Sequence, residues 1–155
     1  VGNLLCELWE SLVPAADTYP IAVIATGGFG RRELFPCSDV DVLFLCAHEK
    51  IEPESRDFIR TCTQAMWDIG LRASPATRSV KECERVHPDN LEFTVSLLDR
   101  RFLTGNRDLS RKFEKDLLPS VILREWDTVI QNLAEMARAR HAKYGNTIFH
   151  VEPNV

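Results

Sequence analysis

Apolar residues recur at helical spacing from the start of the chain: Leu4, Leu5, Leu8, Trp9 and Leu12 predict a helix from Asn3 to about Val13, with Trp9 in the core. Pro14 and Pro20 bracket a connection into a short apolar run, Ile21–Ala25, which reads as a strand. A glycine-rich turn follows, with a short helix expected over Phe29–Leu34, and a second apolar run, Val40–Cys46, predicts the next strand. Pro53 opens a helix through about Ile69 with Phe58, Ile59, Cys62, Ala65, Met66 and Ile69 on one face, and Gly70 ends it. Leu71–Thr77 is the next expected strand, confined to an edge or bent by Pro75. Ser79 and Glu82 form a capping box for a helix over Val80–Val86, and His87-Pro88-Asp89-Asn90 is a break. A further helix is predicted over Leu91–Leu103, burying Phe93, Val95, Leu97, Leu98 and Phe102, with Thr104-Gly105-Asn106 as its stop. A short helix over Asp108–Leu118, a break at Pro119 and a long helix from Val121 to about Tyr144 complete the chain. Arg138, Arg140, His141 and Lys143 lie near the end of that helix, where cations suit its dipole. The pattern predicts a small α/β core over residues 1–90 and a helical extension over 91–155 packed on it.

The chemistry gathers at the second apolar run. Residues i and i+2 of a strand share a face, so Asp39 and Asp41 point the same way, roughly 7 Å apart by strand rise. Leu43 and Leu45 continue their face inward, while Val40, Val42 and Phe44 take the other. Two like charges at the end of a buried strand need a cation between them. Mg²⁺ suits such a place, binding through a couple of carboxylates and substrate phosphate oxygens. Ahead of them, Gly27, Gly28 and Gly30 let backbone N–H groups approach an anion closely, and Arg31 and Arg32 add forked donors suited to phosphate. A phosphate cradle about ten residues before a metal-binding Asp-x-Asp reads as a site for a nucleoside triphosphate with its metals.

Composition narrows the partners. With a formal net charge of −4 and a pI near 5.6, the chain lacks the basic footprint of a nucleic-acid binder, so the arginines beside Gly30 are assigned to a small anionic ligand. No apolar stretch approaches the ~20 residues that span a membrane, and the first residues do not form a signal peptide. The five cysteines show neither C-x-x-C spacing nor a paired histidine. They read as free thiols of a reducing cytoplasm, not as a disulfide framework or a zinc site. The 155 residues amount to one domain or a large piece of one. A start at Val1 and a stop at Val155 read as a fragment of something longer.

Gly27-Gly28, a spacer of ten residues and Asp39-Val40-Asp41 on a hydrophobic strand resemble the signature of the polymerase-β-like nucleotidyltransferases. The longer string from Gly27 to Leu43 bears a closer resemblance still to the bacterial protein-PII uridylyltransferase/uridylyl-removing enzymes. The resemblance extends, unevenly, along the chain. Thr77-Arg78-Ser79 matches their Val-Arg-Thr, Glu82-Cys83 a Glu-Cys, and Leu97–Gly105 a Leu-Leu-Glu-x-Arg-x-Leu-x-Gly segment. Arg140, Tyr144, Gly145, Thr147 and Val151-Glu152-Pro153-Asn154 match a closing pattern after which relatives continue into Gly-Gly-Leu-Arg-Asp and later domains.

This resemblance implies a small mixed sheet flanked by helices and transfer of UMP from UTP to a tyrosine of a PII-type nitrogen-signalling protein, with release of pyrophosphate. Asp39 and Asp41 would hold Mg²⁺ (or Mn²⁺). Gly27, Gly28 and Gly30 would hold the phosphates, and Arg31 would offset charge developing on pyrophosphate. Ser38 is read equally as a triphosphate contact or a turn residue. One departure stands out: the superfamily adds a third carboxylate from a neighbouring strand, but Leu71–Arg78 contains none, with Arg72 and Pro75 where relatives carry an acidic residue and a histidine. Two rivals therefore accompany the transferase: a degenerate domain that binds nucleotide without transferring it, and a nucleotidyltransferase acting on a small molecule such as an antibiotic.

Overall fold

In a computed structural model, the chain is described over residues 1–12, 19–35, 38–85, 91–117 and 126–143. Helix α1 (Gly2–Leu12) precedes strand β1 (Ile21–Ala25), a single-turn helix α2 (Gly27–Gly30) and strand β2 (Val40–Cys46). Helix α3 (Pro53–Asp68), strand β3 (Ala73–Ser79) and short helices α4 (Val80–Cys83) and α5 (Leu91–Ser96) follow. A 3-10 turn over Leu97–Asp99 leads to strand β4 (Arg101–Gly105) and helices α6 (Arg107–Leu117) and α7 (Trp126–Lys143).

The four strands form one mixed sheet in the order β3-β2-β1-β4. The hairpin partners β1 and β2 run antiparallel from Ile21↔Cys46 to Ala25↔Val42, while β3 lies parallel to β2. As α3 links two parallel neighbours, the β2–α3–β3 unit is a crossover. Pro75 sits in edge strand β3, the place open to a residue without a backbone N–H.

Side-chain alternation sorts the sheet into two core layers. Ile21, Val23, Val42 and Phe44 pack with Trp9, Phe58, Cys62 and Met66 on one face. On the other, Ala22, Ile24, Leu43 and Leu45 pack with Val80, Cys83, Leu97 and Phe113. Trp9 meets Phe58 edge to face at 4.8 Å, and Tyr19 stacks on Phe58 at 4.5 Å. Asp41 stands at the open end of the second layer, in line with Leu43 and Leu45.

The expected small mixed sheet flanked by helices is thus observed, and several boundaries match. Gly70 takes φ +80° after α3. Ser79 accepts from the Glu82 backbone N–H at 3.2 Å and donates its own N–H to Glu82 Oε2 at 2.7 Å, the expected capping box. That N–H holds the Glu82 carboxyl below its usual range.

Two predicted helices are corrected. The short helix lies at Gly27–Gly30, not Phe29–Leu34, because Thr26 is extended at its N-cap and Arg32 at φ +67° breaks the turn. The helix predicted over Leu91–Leu103 ends at Ser96, and residues 101–105 pair with β1 instead. Phe102 packs toward the second layer and Leu103 toward the first, a period of two that the apolar spacing alone did not separate from a helix. Pairing there satisfies the backbone groups along the free edge of β1. Ile69, expected on the buried face of α3, is exposed.

The expectations for Val13, Cys37, Val86, His87–Asn90, Leu118, Pro119, residues 121–125 and everything from Tyr144 onward lie outside the described residues. Among the described residues the four cysteines are free thiols, and no helix is long and apolar enough to cross a membrane.

Candidate active site

The backbone joins the two halves of the predicted site. Thr26, the last residue before α2, donates its N–H to the carbonyl of Asp41 at 3.1 Å, which pins the glycine turn to the start of β2. Gly27 takes φ +56°, and a Cβ there would stand 3.1 Å from Asp41 Oδ2. Glycine takes this φ without strain, and any other side chain there would press on the carboxylate. The first N–H groups of a helix lack an intrahelical carbonyl, and the Thr26 side chain makes no capping bond to them. Gly27 and Gly28 line an open groove of about 340 Å³ with Arg31, Ser96 and Asp99, opposite Leu133, Met136 and Ala137 of α7. Gly30 behaves differently. It is buried, and a Cβ on it would overlap the Asp99 carbonyl oxygen.

Asp39 is exposed just before β2, and Asp41 is half-buried within it. Burial, with a smaller contribution from Asp39, pushes the Asp41 carboxyl above its ordinary range. Ser38 is exposed, and its backbone N–H donates to the Phe35 carbonyl at 3.1 Å. The neighbouring strand brings Ser74 beside Asp41, with Ala76 beside Leu43. Arg72 precedes the strand and accepts through its carbonyl from Val40 N–H at 2.8 Å. The position facing Asp41 therefore carries a hydroxyl, and among the described residues no group of three or more metal-ligating side chains converges. Two carboxylates on one face, one of them uncomfortable as an anion, fit a Mg²⁺ ion that completes its shell with phosphate and water.

A raised carboxyl favours the fold while protonated and loses that contribution as pH rises through its folded-state pKa. Asp41→Asn is therefore expected to raise the melting temperature of the metal-free protein at pH 7. The gain should shrink as pH falls into the acid range and Asp41 takes up its proton. Thermal melts in chelator across that range check it, and a lower melting temperature at pH 7 would contradict the electrostatic account.

Arg31 is engaged within the protein. Its Nε donates to Glu33 Oε2 at 3.0 Å and its Nη1 to Asp99 Oδ2, and these bonds strengthen its hold on the proton. Arg32 lies exposed at the turn. Arg101 serves the turn from below: Nη2 donates to the Phe29 carbonyl at 3.0 Å and Nε to that of Gly30 at 3.3 Å, with Cζ 5.2 Å from the Phe29 ring centre. Sequence reasoning missed Asp99, Arg101 and the α7 wall. Asp99 and Arg101 stood inside the segment read as continuous helix, where neither had a reason to meet the glycine turn.

No family model matches the chain. It is 39% identical over 99% of its length to the bifunctional uridylyltransferase/uridylyl-removing enzyme of Cupriavidus pinatubonensis. The enzymes of the same description from Ruegeria pomeroyi and Cereibacter sphaeroides are 37% and 33% identical over 96% and 99% of it. Among solved structures, a toxin–antitoxin complex with AMP-PNP aligns with 94% of this chain and 96% of its own, at TM-score 0.43 and 12% identity. The tri-AMPylated HEPN toxin–MNT antitoxin complex of Shewanella oneidensis aligns at TM-score 0.40 and 12% identity, over 94% of this chain and 98% of the other. Likeness at that level fixes no correspondence of residues. The chain spans 16–17% of the length of the three curated relatives and is homologous, over nearly its whole length, to that segment of these bifunctional uridylyltransferase/uridylyl-removing enzymes.

Proposed function

We propose that the chain is the nucleotidyl-transferring segment of its enzyme, taking UTP with Mg²⁺ and passing UMP to a protein hydroxyl, with a tyrosine of a PII-type signalling protein as the acceptor. The observation that carries this reading is the approach of the Gly27 backbone to the Asp41 carboxylate, which sets the glycine turn against a cation-seeking acid. Homology over nearly the whole chain to enzymes named for uridylyl transfer supports the choice of nucleotide. In the reaction the acceptor oxygen attacks the α-phosphorus, the bond to the bridging oxygen of pyrophosphate breaks, and the hydroxyl proton leaves to solvent or a neighbouring base. Gly27 and Gly28 orient the phosphates through backbone N–H groups, Asp39 and Asp41 hold the metal, and Arg31 faces charge that accumulates on pyrophosphate. Mg²⁺, when bound, supplies charge neutralisation and a more acidic acceptor hydroxyl.

Ser74 beside Asp41, on a strand without any carboxylate, favours one alternative, a domain that binds nucleotide and transfers it poorly or not at all. Incubation of the chain with labelled UTP, Mg²⁺ or Mn²⁺ and a PII-type protein separates the two. Metal-dependent label on the acceptor, lost in Asp41→Asn, is the expected result. Nucleotide binding without label would favour the alternative, and the absence of both would defeat each.

A further inference from the structure

We propose that Asp99 is a positioning residue for polyphosphate, fixing the Arg31 guanidinium at the mouth of the groove beside Gly27 and Gly28. The inference rests on the nucleotide-binding reading of that groove and adds a residue the reading does not use. Arg31 presents three nitrogens. Glu33 takes Nε and Asp99 takes Nη1, while Nη2 stands 4.0 Å from the place a Cβ on Gly28 would occupy. Two carboxylates thus orient the fork so that its remaining edge overlooks the glycine turn. The Glu33 side chain is 61% exposed and belongs to the same turn, so its pull is heavily screened. Asp99, at 34%, is better sheltered and comes from a different part of the chain.

Asp99 is itself held in place. Its carbonyl packs against Gly30 at a distance no other residue allows, and two positions on, Arg101 grips the Phe29 and Gly30 carbonyls. The segment 99–101 therefore clamps the turn by backbone and positions its arginine by side chain. An arginine already ordered loses less freedom on binding phosphate than one that must be ordered first.

The test uses the 155-residue chain and its Asp99→Ala, Asp99→Asn, Arg31→Gln and Arg31→Gln/Asp99→Ala variants. Each is titrated with UTP and with tripolyphosphate in Mg²⁺, and each is examined by arginine Nε–Hε NMR. Asp99→Ala is expected to weaken binding roughly three- to tenfold, the cost of ordering one long side chain. Asp99→Asn, which keeps an acceptor and the size, loses less. In the Arg31→Gln background Asp99→Ala adds no further loss, because it acts through Arg31. The wild-type Arg31 signal is restrained and becomes mobile in Asp99→Ala. An equal loss in both Arg31 backgrounds, a gain of affinity in Asp99→Ala, or an Arg31 signal indifferent to it would overturn the proposal. If the wild type binds neither probe, the nucleotide reading falls and takes the polyphosphate role with it. The NMR arm then shows separately whether Asp99 orders Arg31.

Discussion

Gly30→Ala is expected to destabilise the fold by more than about 3 kcal/mol, a large fraction of the 5–15 kcal/mol that typically holds a domain together. The added methyl would overlap the Asp99 carbonyl oxygen, stand 2.7 Å from the Asp99 carbonyl carbon and 3.2 Å from the Ala25 carbonyl oxygen. All three are backbone atoms, so no rotamer change relieves the clash. Either the 97–99 turn lifts off α2, breaking the seat of β4 beside β1, or the end of β1 shifts and carries the glycine turn with it. Gly28→Ala is the control. Its methyl meets only the Glu33 carbonyl at 3.3 Å and the flexible end of Arg31 at 4.0 Å, at an ordinary backbone conformation. It should unfold near the wild-type urea midpoint while weakening Mg²⁺–UTP binding, because that methyl enters the groove where a phosphate must approach. A wild-type midpoint for Gly30→Ala would show that segment 99–101 yields easily and does not clamp the turn.

The contrast between these glycines marks how far the sequence could be read. The Gly-Gly and Asp-x-Asp elements were legible because local periodicity places them: a run of five apolar residues, a turn, and a strand whose alternation puts Asp39 and Asp41 on one face. That Gly30 packs inward against Asp99 was not legible, since the partner lies 69 residues away and inside a segment whose apolar spacing suited a helix. The missing signal was the pairing need of β1. A strand buried on both faces, with β2 on one edge only, demands a partner on the other, and Arg101–Gly105 supplies it. Once that segment is a strand, Asp99 and Arg101 fall beneath the glycine turn and the environment of Arg31 follows. The absence of an acid in Leu71–Arg78 was legible from the sequence. Which residue stands beside Asp41 required the register, and it is Ser74, with Arg72 one residue ahead of the strand.

That register sets the second large expected effect. Asp41→Asn is expected to weaken metal-dependent UTP binding by more than about a hundredfold, since even outer-shell changes at metal sites commonly cost 10–100-fold and this removes a ligand. The binding that remains in chelator, supported by backbone N–H groups and Arg31, should change little. Ser74→Asp tests the same geometry from the other side. Register partners on adjacent parallel strands share a face about 4.8 Å apart, so the new carboxylate would join Asp39 and Asp41 at the mouth of the glycine turn. Mn²⁺–UTP affinity should then rise above wild type, while the metal-free protein loses stability to a third unscreened charge. Arg72→Glu adds a carboxylate before the strand instead of beside Asp41, so its gain should be the smaller. Calorimetric titration of Mg²⁺–UTP and Mn²⁺–UTP into the four proteins, each with and without chelator, checks the series. Equal metal-dependent affinity in wild type and Asp41→Asn would remove Asp41 from the metal site. An Asp41→Asn loss without a Ser74→Asp gain would mean instead that two carboxylates and the triphosphate already complete the shell, and that Ser74 is no defect.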